Sequence, residues 1–365
     1  MSTITDRLEA ATASHEAAAA RMHALLDAIA DFDARFTALE NLAINGRARL
    51  IAADTTINVP ADFATLQEAH DSLYGAMISP DVYVTIQIAA GIHAIANVRV
   101  WHPDGPRIKI VGAPLPGAFP IAADVAATIA ATRALVRARF ATILTISGAS
   151  GIIVERGGLG LVDNILFDHD GTGAGLNLGC VVAVEGRVTL GRVAAIGCAI
   201  AGGNGAGLAA EITGQIDAGP EFFIAHCDEL ARSHNRGRIW LDGSAAPNQR
   251  VLAYAKRGVA ARGNGSIRIG GATVTSCNLW GLWVENEGTI DIQAGVTLSG
   301  NTVNLGANGG RIDGKLAPHL GAPSAANSIV ANEGGYIDLE GATGSLVCSP
   351  AANTVGNANS FVRIA

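Results

Sequence analysis

The chain has 365 residues, 49% hydrophobic, 16% charged and 5% aromatic, with 45 glycines and a formal net charge of −7. So much apolar material excludes whole-chain disorder, and the lack of a Gly-X-Y period excludes collagen. An acidic balance without any dense Lys/Arg run leaves a nucleic-acid backbone little to bind. The five cysteines (Cys180, Cys198, Cys227, Cys277 and Cys348) are widely spaced and form no Cys-x-x-Cys pair. They read as buried thiols in a reducing compartment, not as a disulfide or metal framework.

Residues 4–43 carry an unbroken heptad seam free of Gly and Pro. Leu8, His15, Met22, Ile29, Phe36 and Ala43 fall at a, and Ile4, Ala11, Ala18, Leu25, Phe32 and Leu39 at d. Such a seam needs another helix face to bury it, so residues 1–45 are expected to form a coiled-coil stalk for oligomerisation or attachment. Leu8, Met22, Leu25, Ile29, Phe32, Phe36 and Leu39 would be its contacts, and the broad phenylalanines favour a homotrimer over a narrow dimer. A single amphipathic helix folded back on its own domain is the alternative. His15 reads as a polar residue tolerated at the edge of the seam. The N-terminus shows no basic region followed by an apolar one, and no run of 18 apolar residues occurs later. Neither a signal peptide nor membrane insertion is therefore expected.

Asn45-Gly46 ends the helical pattern. Residues 46–79 read as a junction and an N-terminal capping helix, with Asp62 as its cap, Phe63, Leu66, Ala69 and Leu73 as its apolar side, and an end near Met77. Residues 80–365 read as a β body. Val82-Tyr83-Val84-Thr85-Ile86-Gln87-Ile88 alternates as a strand, and the proline-rich stretch from Gly112 to Ala134 reads as an excursion with helix from Ala122 to Ala131.

From residue 186 a marker recurs in which Gly is followed, two positions on, by Ile or Val. Its apolar centres are Val188, Ile216, Ile239, Ile267, Ile290, Ile312 and Ile337, and Val362 continues the series. The mean spacing is about 25 residues, a solenoid period that leaves no room for a long helix in each unit. One coil cannot bury its own apolar side; stacked coils bury these residues as an internal ladder. The expected fold is an all-β, right-handed parallel β-helix with some eleven coils from the 80s to 362. Gly197-Cys198, His226-Cys227, Ser276-Cys277 and Gly300-Asn301 occupy comparable places and predict a second ladder, in which Cys and Asn have structural roles.

Phe63-Ala64-Thr65-Leu66-Gln67-Glu68-Ala69, followed by Val84-Thr85-Ile86-Gln87-Ile88-Ala89-Ala90-Gly91-Ile92-His93, resembles the opening of pectate-lyase-like and pectinesterase-like β-helices. A similar opening occurs in bacteriophage and prophage tail fibre or spike proteins, which also share the layout of stalk and body. The resemblance covers roughly residues 55–365 and bears on fold more than on activity. In Gly160-Leu161-Val162-Asp163-Asn164-Ile165-Leu166-Phe167, Asp163 compares with a pectinesterase nucleophile, but the Gln-Ala-Val and Trp-x-Arg contexts of that family are missing.

Asp168 and Asp170 flank His169 ahead of a Gly-rich loop, and with Asp217 and Asp228 they are the carboxylates available for acid–base cleavage of a glycan. His226, Asp228 and His234 are candidate metal ligands at a spacing that matches no specific zinc signature. Trp240, Trp280 and Trp283 are candidates for stacking on sugar faces. No cofactor is implied. The resemblance implies a structural fibre or spike component on the exterior of a phage-like particle, assembled in the cytoplasm. Its partners would be capsid, tail or baseplate proteins and a cell-surface polysaccharide, bound multivalently. A spike depolymerase acting as glycoside hydrolase or lyase and a purely architectural component are the alternatives.

Overall fold

The computed structural model describes residues 49–365 apart from 174–177, 201–202, 220, 242–249, 315–317, 324, 326, 350–355, 357–358 and 365. The stalk expected over 1–45 lies outside the described residues. The chain divides into two compact units. The first contributes strand Arg49–Ile51 and residues 75–77 to the described part. The second contains nearly everything else and is a parallel β-solenoid of about twelve turns.

Two long parallel sheets run the length of the solenoid, one of 12 strands and one of 17. In the 12-stranded sheet the marker residues stack in register from Val188 through Ile216, Ile239, Ile267, Ile290, Ile312 and Ile337 to Val362. All eight are at most 2% exposed, and burial stabilises each by about 1.5–3 kcal/mol. The sequence register is therefore the structural register. Val188 pairs in turn with Leu159, where a bulge interrupts the strand, and the neighbouring inward ladder runs back from Leu190 through Val162, Ile110 and Ile86 to Ile57 in strand Thr55–Val59, which is the first rung. The body thus begins inside the span read as junction, and eleven rungs follow from Val84 onwards.

The marker glycines have a specific cause. A Cβ at Gly214, Gly237, Gly288 or Gly335 would overlap a backbone carbonyl of the coil beneath: Ala183, Ala210, Ala261 or Ala307 respectively. The same glycines bind the coil above, since the carbonyl of Gly214 accepts from Arg238 N at 2.8 Å and that of Gly237 from Ser266 N at 3.0 Å. Contact with the neighbouring coil, more than backbone freedom, selects glycine there. The left-handed turn just before it is made by other residues, including Asn235 (φ 50°), Arg236 (φ 67°), Asn286 (φ 49°) and Glu287 (φ 65°).

The second ladder is also present. Gly197, His226, Tyr254, Ser276 and Gly300 all have positive φ and form a corner, and each is followed by a small inward residue: Cys198, Cys227, Ala255, Cys277 and Asn301. Asn301 bonds the neighbouring coil, accepting from Cys277 N at 3.0 Å and donating to Val274 O at 3.2 Å. All five cysteines are free. Burial pushes the Cys277 thiol up to about 12, so it stays protonated and unreactive.

The N-terminal helix is shorter than expected, Leu66–Asp71, and Thr65 caps it in place of Asp62. Thr65 Oγ1 accepts from Glu68 N while Glu68 bonds back to Thr65 N, a reciprocal capping box. Asp62 instead accepts from the backbone and side chain of Asn58. Leu66, Ala69 and Leu73 are buried as the pattern required.

The proline-rich excursion is a strap across the outside of the 17-stranded sheet. It carries helix Ile129–Arg137, somewhat later than the sequence suggested, with Thr128 as N-cap. Phe119, Val136 and Phe140 cover an outward ladder of Leu166, Ala194, Phe223 and Val251. Further along the same ladder the residues become Thr273, Thr297, His319 and Thr343. The outer face is apolar where the strap lies and polar beyond it.

Gly237→Ala is expected to cost about 1–3 kcal/mol, because a Cβ there must push two coils apart. Gly117, which has nothing within 4 Å of its would-be Cβ, should accept alanine without loss. Thermal denaturation of the two variants side by side checks this; equal melting temperatures would contradict the close contact.

Candidate functional site

Trp240 lies on the outward side of strand Arg238–Leu241 in the 12-stranded sheet, with 43% of its surface exposed. Register fixes its surroundings: Asp217 on the coil below, Arg268 on the coil above, and Arg238 two residues back on the same face. Arg238 and Arg268 are both exposed. Asp217 is taken up by Arg187, whose guanidinium lies 2.6 Å away, and by Gln215 Nε2 at 2.9 Å. This is an accessible indole on a rigid sheet, ringed by hydrogen-bonding groups, and it suits the apolar face of a sugar ring.

Trp280 and Trp283 occupy a different place. Their ring centroids are 4.4 Å apart, packed where Gly306 leaves room, and Trp283 is only 8% exposed. These two indoles pack against each other. The three tryptophans do not form one platform.

The carboxylate candidates are likewise dispersed. Asp168 is 3% exposed and holds the strap, accepting from Arg133 Nε at 2.7 Å and Arg137 Nε at 2.6 Å. With both oxygens occupied it is a structural anchor. Asp170 forms a turn with Thr172, accepting from its N at 2.8 Å and its Oγ1 at 2.6 Å. Slight burial raises its pKa, but hydrogen bonds from Ser147 and Thr172 outweigh this and hold the carboxyl at about 2. It cannot supply a proton near neutral pH. Asp228 accepts from Ile200 N and Gly205 N, both at 2.9 Å, and so shapes the loop leading to strand Ala206–Glu211. Asp163, at the position compared with the pectinesterase nucleophile, accepts from Arg192 N at 2.7 Å.

The proposed metal ligands do not converge. His226 turns to the strap, with Nε2 3.0 Å from Thr132 Oγ1 and 3.2 Å from Ala126 O, and its ring stacks on Tyr254. His234 bonds Glu211 at 3.2 Å. Among the described residues no group of three His, Cys, Asp or Glu side chains is placed to hold a metal ion.

A buried ionic network escaped the sequence reading. Glu229, completely buried, takes contacts from Arg232 at 3.4 Å, Arg257 at 3.2 Å and Arg262. Arg232 also reaches Glu211 at 3.0 Å and Asn204 O at 2.7 Å, and Arg262 reaches Glu285 at 2.8 Å. Burial draws the Arg262 guanidinium pKa below its ordinary value, against the opposing pull of Glu229. A signal existed: Glu211, His234, Arg262 and Glu285 each stand three residues before a marker glycine, and they stack in register. The network ties four successive coils and a loop together, with its carboxylates occupied.

No family model, no curated protein and no solved structure matches this chain.

Burial pulls the His226 pKa below 6.5, helped by Arg133 and opposed by the bond to Ala126 O. The unfolded chain therefore takes up this proton first. The histidine's contribution is complete above pH 6.5 and declines as the pH falls below it. Hydrogen-exchange protection factors over 112–141, taken relative to the intrinsic amide rate at each pH, should fall on acidification from pH 7 to pH 5, and His226→Gln should flatten that dependence. An unchanged slope in the variant would contradict the assignment.

Proposed function

We propose that the protein is a structural fibre or spike component of a phage-like particle, with a right-handed β-helical body that attaches to a cell-surface glycan or envelope receptor. The exposed Trp240, held on a stiff sheet amid polar side chains, is the observation that carries the reading. The heptad seam through Leu8, Met22, Leu25, Ile29, Phe32, Phe36 and Leu39 supports a homotrimeric stalk anchored to capsid, tail or baseplate proteins on the particle exterior. Three bodies on one stalk would present three weak sites at high effective concentration, so that together they bind far more tightly than one. The engagement of Asp168, Asp217 and Asp228 with protein donors favours adhesion over cleavage.

The test is binding of the full chain to purified bacterial capsular polysaccharides and lipopolysaccharides, read by biolayer interferometry alongside assays for reducing ends and unsaturated sugars. The reading expects saturable binding without products, weakened at least ten-fold in Trp240→Ala. Release of oligosaccharides would replace it with a depolymerase, and a folded protein that binds none of these polymers would leave an architectural role.

A further inference from the structure

The corner of the coil carries a column of its own on the outer side. Gly197, His226, Tyr254, Ser276 and Gly300 take successive places in it, all with positive φ. For a histidine (φ 56°) and a tyrosine (φ 52°) that backbone is rare and costly, and such strain gathers at functional sites. The rings of His226 and Tyr254 lie on each other with centroids 5.0 Å and planes 6° apart. That distance matches the rung spacing of about 4.8 Å, so the rings stack along the solenoid axis.

The two ends of the stack differ. On the N-terminal side the column reaches Gly197, where the strap fills the place of the missing side chain. Beyond the carbonyl of the coil beneath, Arg133 Nη2 and Ile129 Cδ1 lie 2.9 and 3.1 Å from the position a Cβ would take. On the C-terminal side come Ser276 and Gly300, with no ring between them. The nearest atoms to a Cβ at Gly300 are Thr275 Oγ1 at 3.5 Å and the N and Oγ of Ser276 at 3.8 Å, all from the floor of the column itself. Lys256, exposed beside Tyr254, reaches the other way, with Nζ 3.0 Å from the Cβ position of Gly203. Among the described residues no second ring stacks on Tyr254.

The place after Tyr254 suits a planar ring. One rung of about 4.8 Å sets such a ring at stacking distance, between the aromatic face and the next coil. Its floor is polar: Ser276 Oγ stands 3.3 Å from Thr275 Oγ1, which also accepts from Ser299 Oγ at 3.3 Å. These hydroxyls can donate to, or accept from, a heteroatom on the edge of the ring.

We infer that Tyr254 and Ser276 form a binding site for a small heteroaromatic molecule, an indole or a purine. Its ring continues the His226–Tyr254 stack and its edge bonds the hydroxyls of Ser276 and Thr275. The site lies on the 17-stranded sheet, apart from Trp240, and does not depend on glycan attachment. A single stacked ring with one or two hydrogen bonds corresponds to a Kd on the order of 1 mM.

Saturation-transfer difference NMR of the full chain tests this with N-acetyltryptophanamide, adenosine and the saturated ring cyclohexanol as probes. Circular dichroism and melting temperature check that each variant keeps the fold. The inference expects saturation of at least one aromatic probe at least five-fold above cyclohexanol, and the same result in Trp240→Ala, where the exposed indole is gone. Tyr254→Leu keeps an apolar side chain against the strap, and Ser276→Tyr extends the stack with the protein's own ring; each should lower the transfer at least five-fold. In the native chain, photolabelling with 8-azidoadenosine and 5-azidoindole followed by peptide mapping should place an adduct within 250–279, which locates the site even where a variant fails to fold. Transfer that vanishes in Trp240→Ala, persists in a folded Tyr254→Leu or Ser276→Tyr, or is matched by cyclohexanol overturns the inference. So does a native chain that saturates neither aromatic probe, or labelling confined to other peptides.

Discussion

Successive coils of this solenoid touch through backbone, and that contact governs what the sequence can contain. At Gly214, Gly237, Gly288 and Gly335 the carbonyl of the coil beneath occupies the place a Cβ would take. With the coils this close, the residue two positions on falls directly over its counterpart, from Val188 to Val362. Each buried side chain then has apolar neighbours above and below, and a chain with only 5% aromatic residues can build a continuous core from Ile, Val, Leu, Ala and Cys. Nearly all stabilising contacts run from one coil to the next.

That dependence explains what was legible beforehand. The inward ladder repeats one residue type at one offset from glycine, so Ile216, Ile239 and Ile267 could be aligned by inspection. The corner ladder was visible too, because Cys198, Cys227 and Cys277 share a chemistry. The polar part was harder to read. Glu211, His234, Arg262 and Glu285 share an offset but not a residue type or sign, since neighbouring charges in a ladder must complement one another and not repeat. The strap posed a different problem. Leu166, Ala194, Phe223 and Val251 are apolar on the outer side, a break in the alternation that makes sense only once Phe119, Val136 and Phe140 lie over them.

The functional residues show the same division. Sequence spacing placed Asp168 beside Asp170 and His226 near His234, but a solenoid coil turns its corner between such residues and sends them to different neighbours. Proximity along the chain is a poor guide to a site here, whereas proximity across coils is set by the register. Trp240, Asp217 and Arg268 are 23 and 28 residues apart in sequence and consecutive along the axis. The outer surface of such a body is in effect a grid, with one axis along the strands and the other along the stack. Its rigidity lets a shallow patch hold its side chains in place without a deep cleft.

The register is most directly tested by engineered cross-linking on the exposed face. Thr289 and Arg311 are paired on adjacent rungs, and Tyr336 stands one rung further on. Neighbouring rungs are about 4.8 Å apart, within the span of a disulfide, and alternate rungs about 9.6 Å apart, beyond it. After mild oxidation, peptide mapping by mass spectrometry should find the bond in Thr289→Cys/Arg311→Cys and not in Thr289→Cys/Tyr336→Cys. A bond in the second pair, or none in the first, would contradict a core built from one residue position per coil.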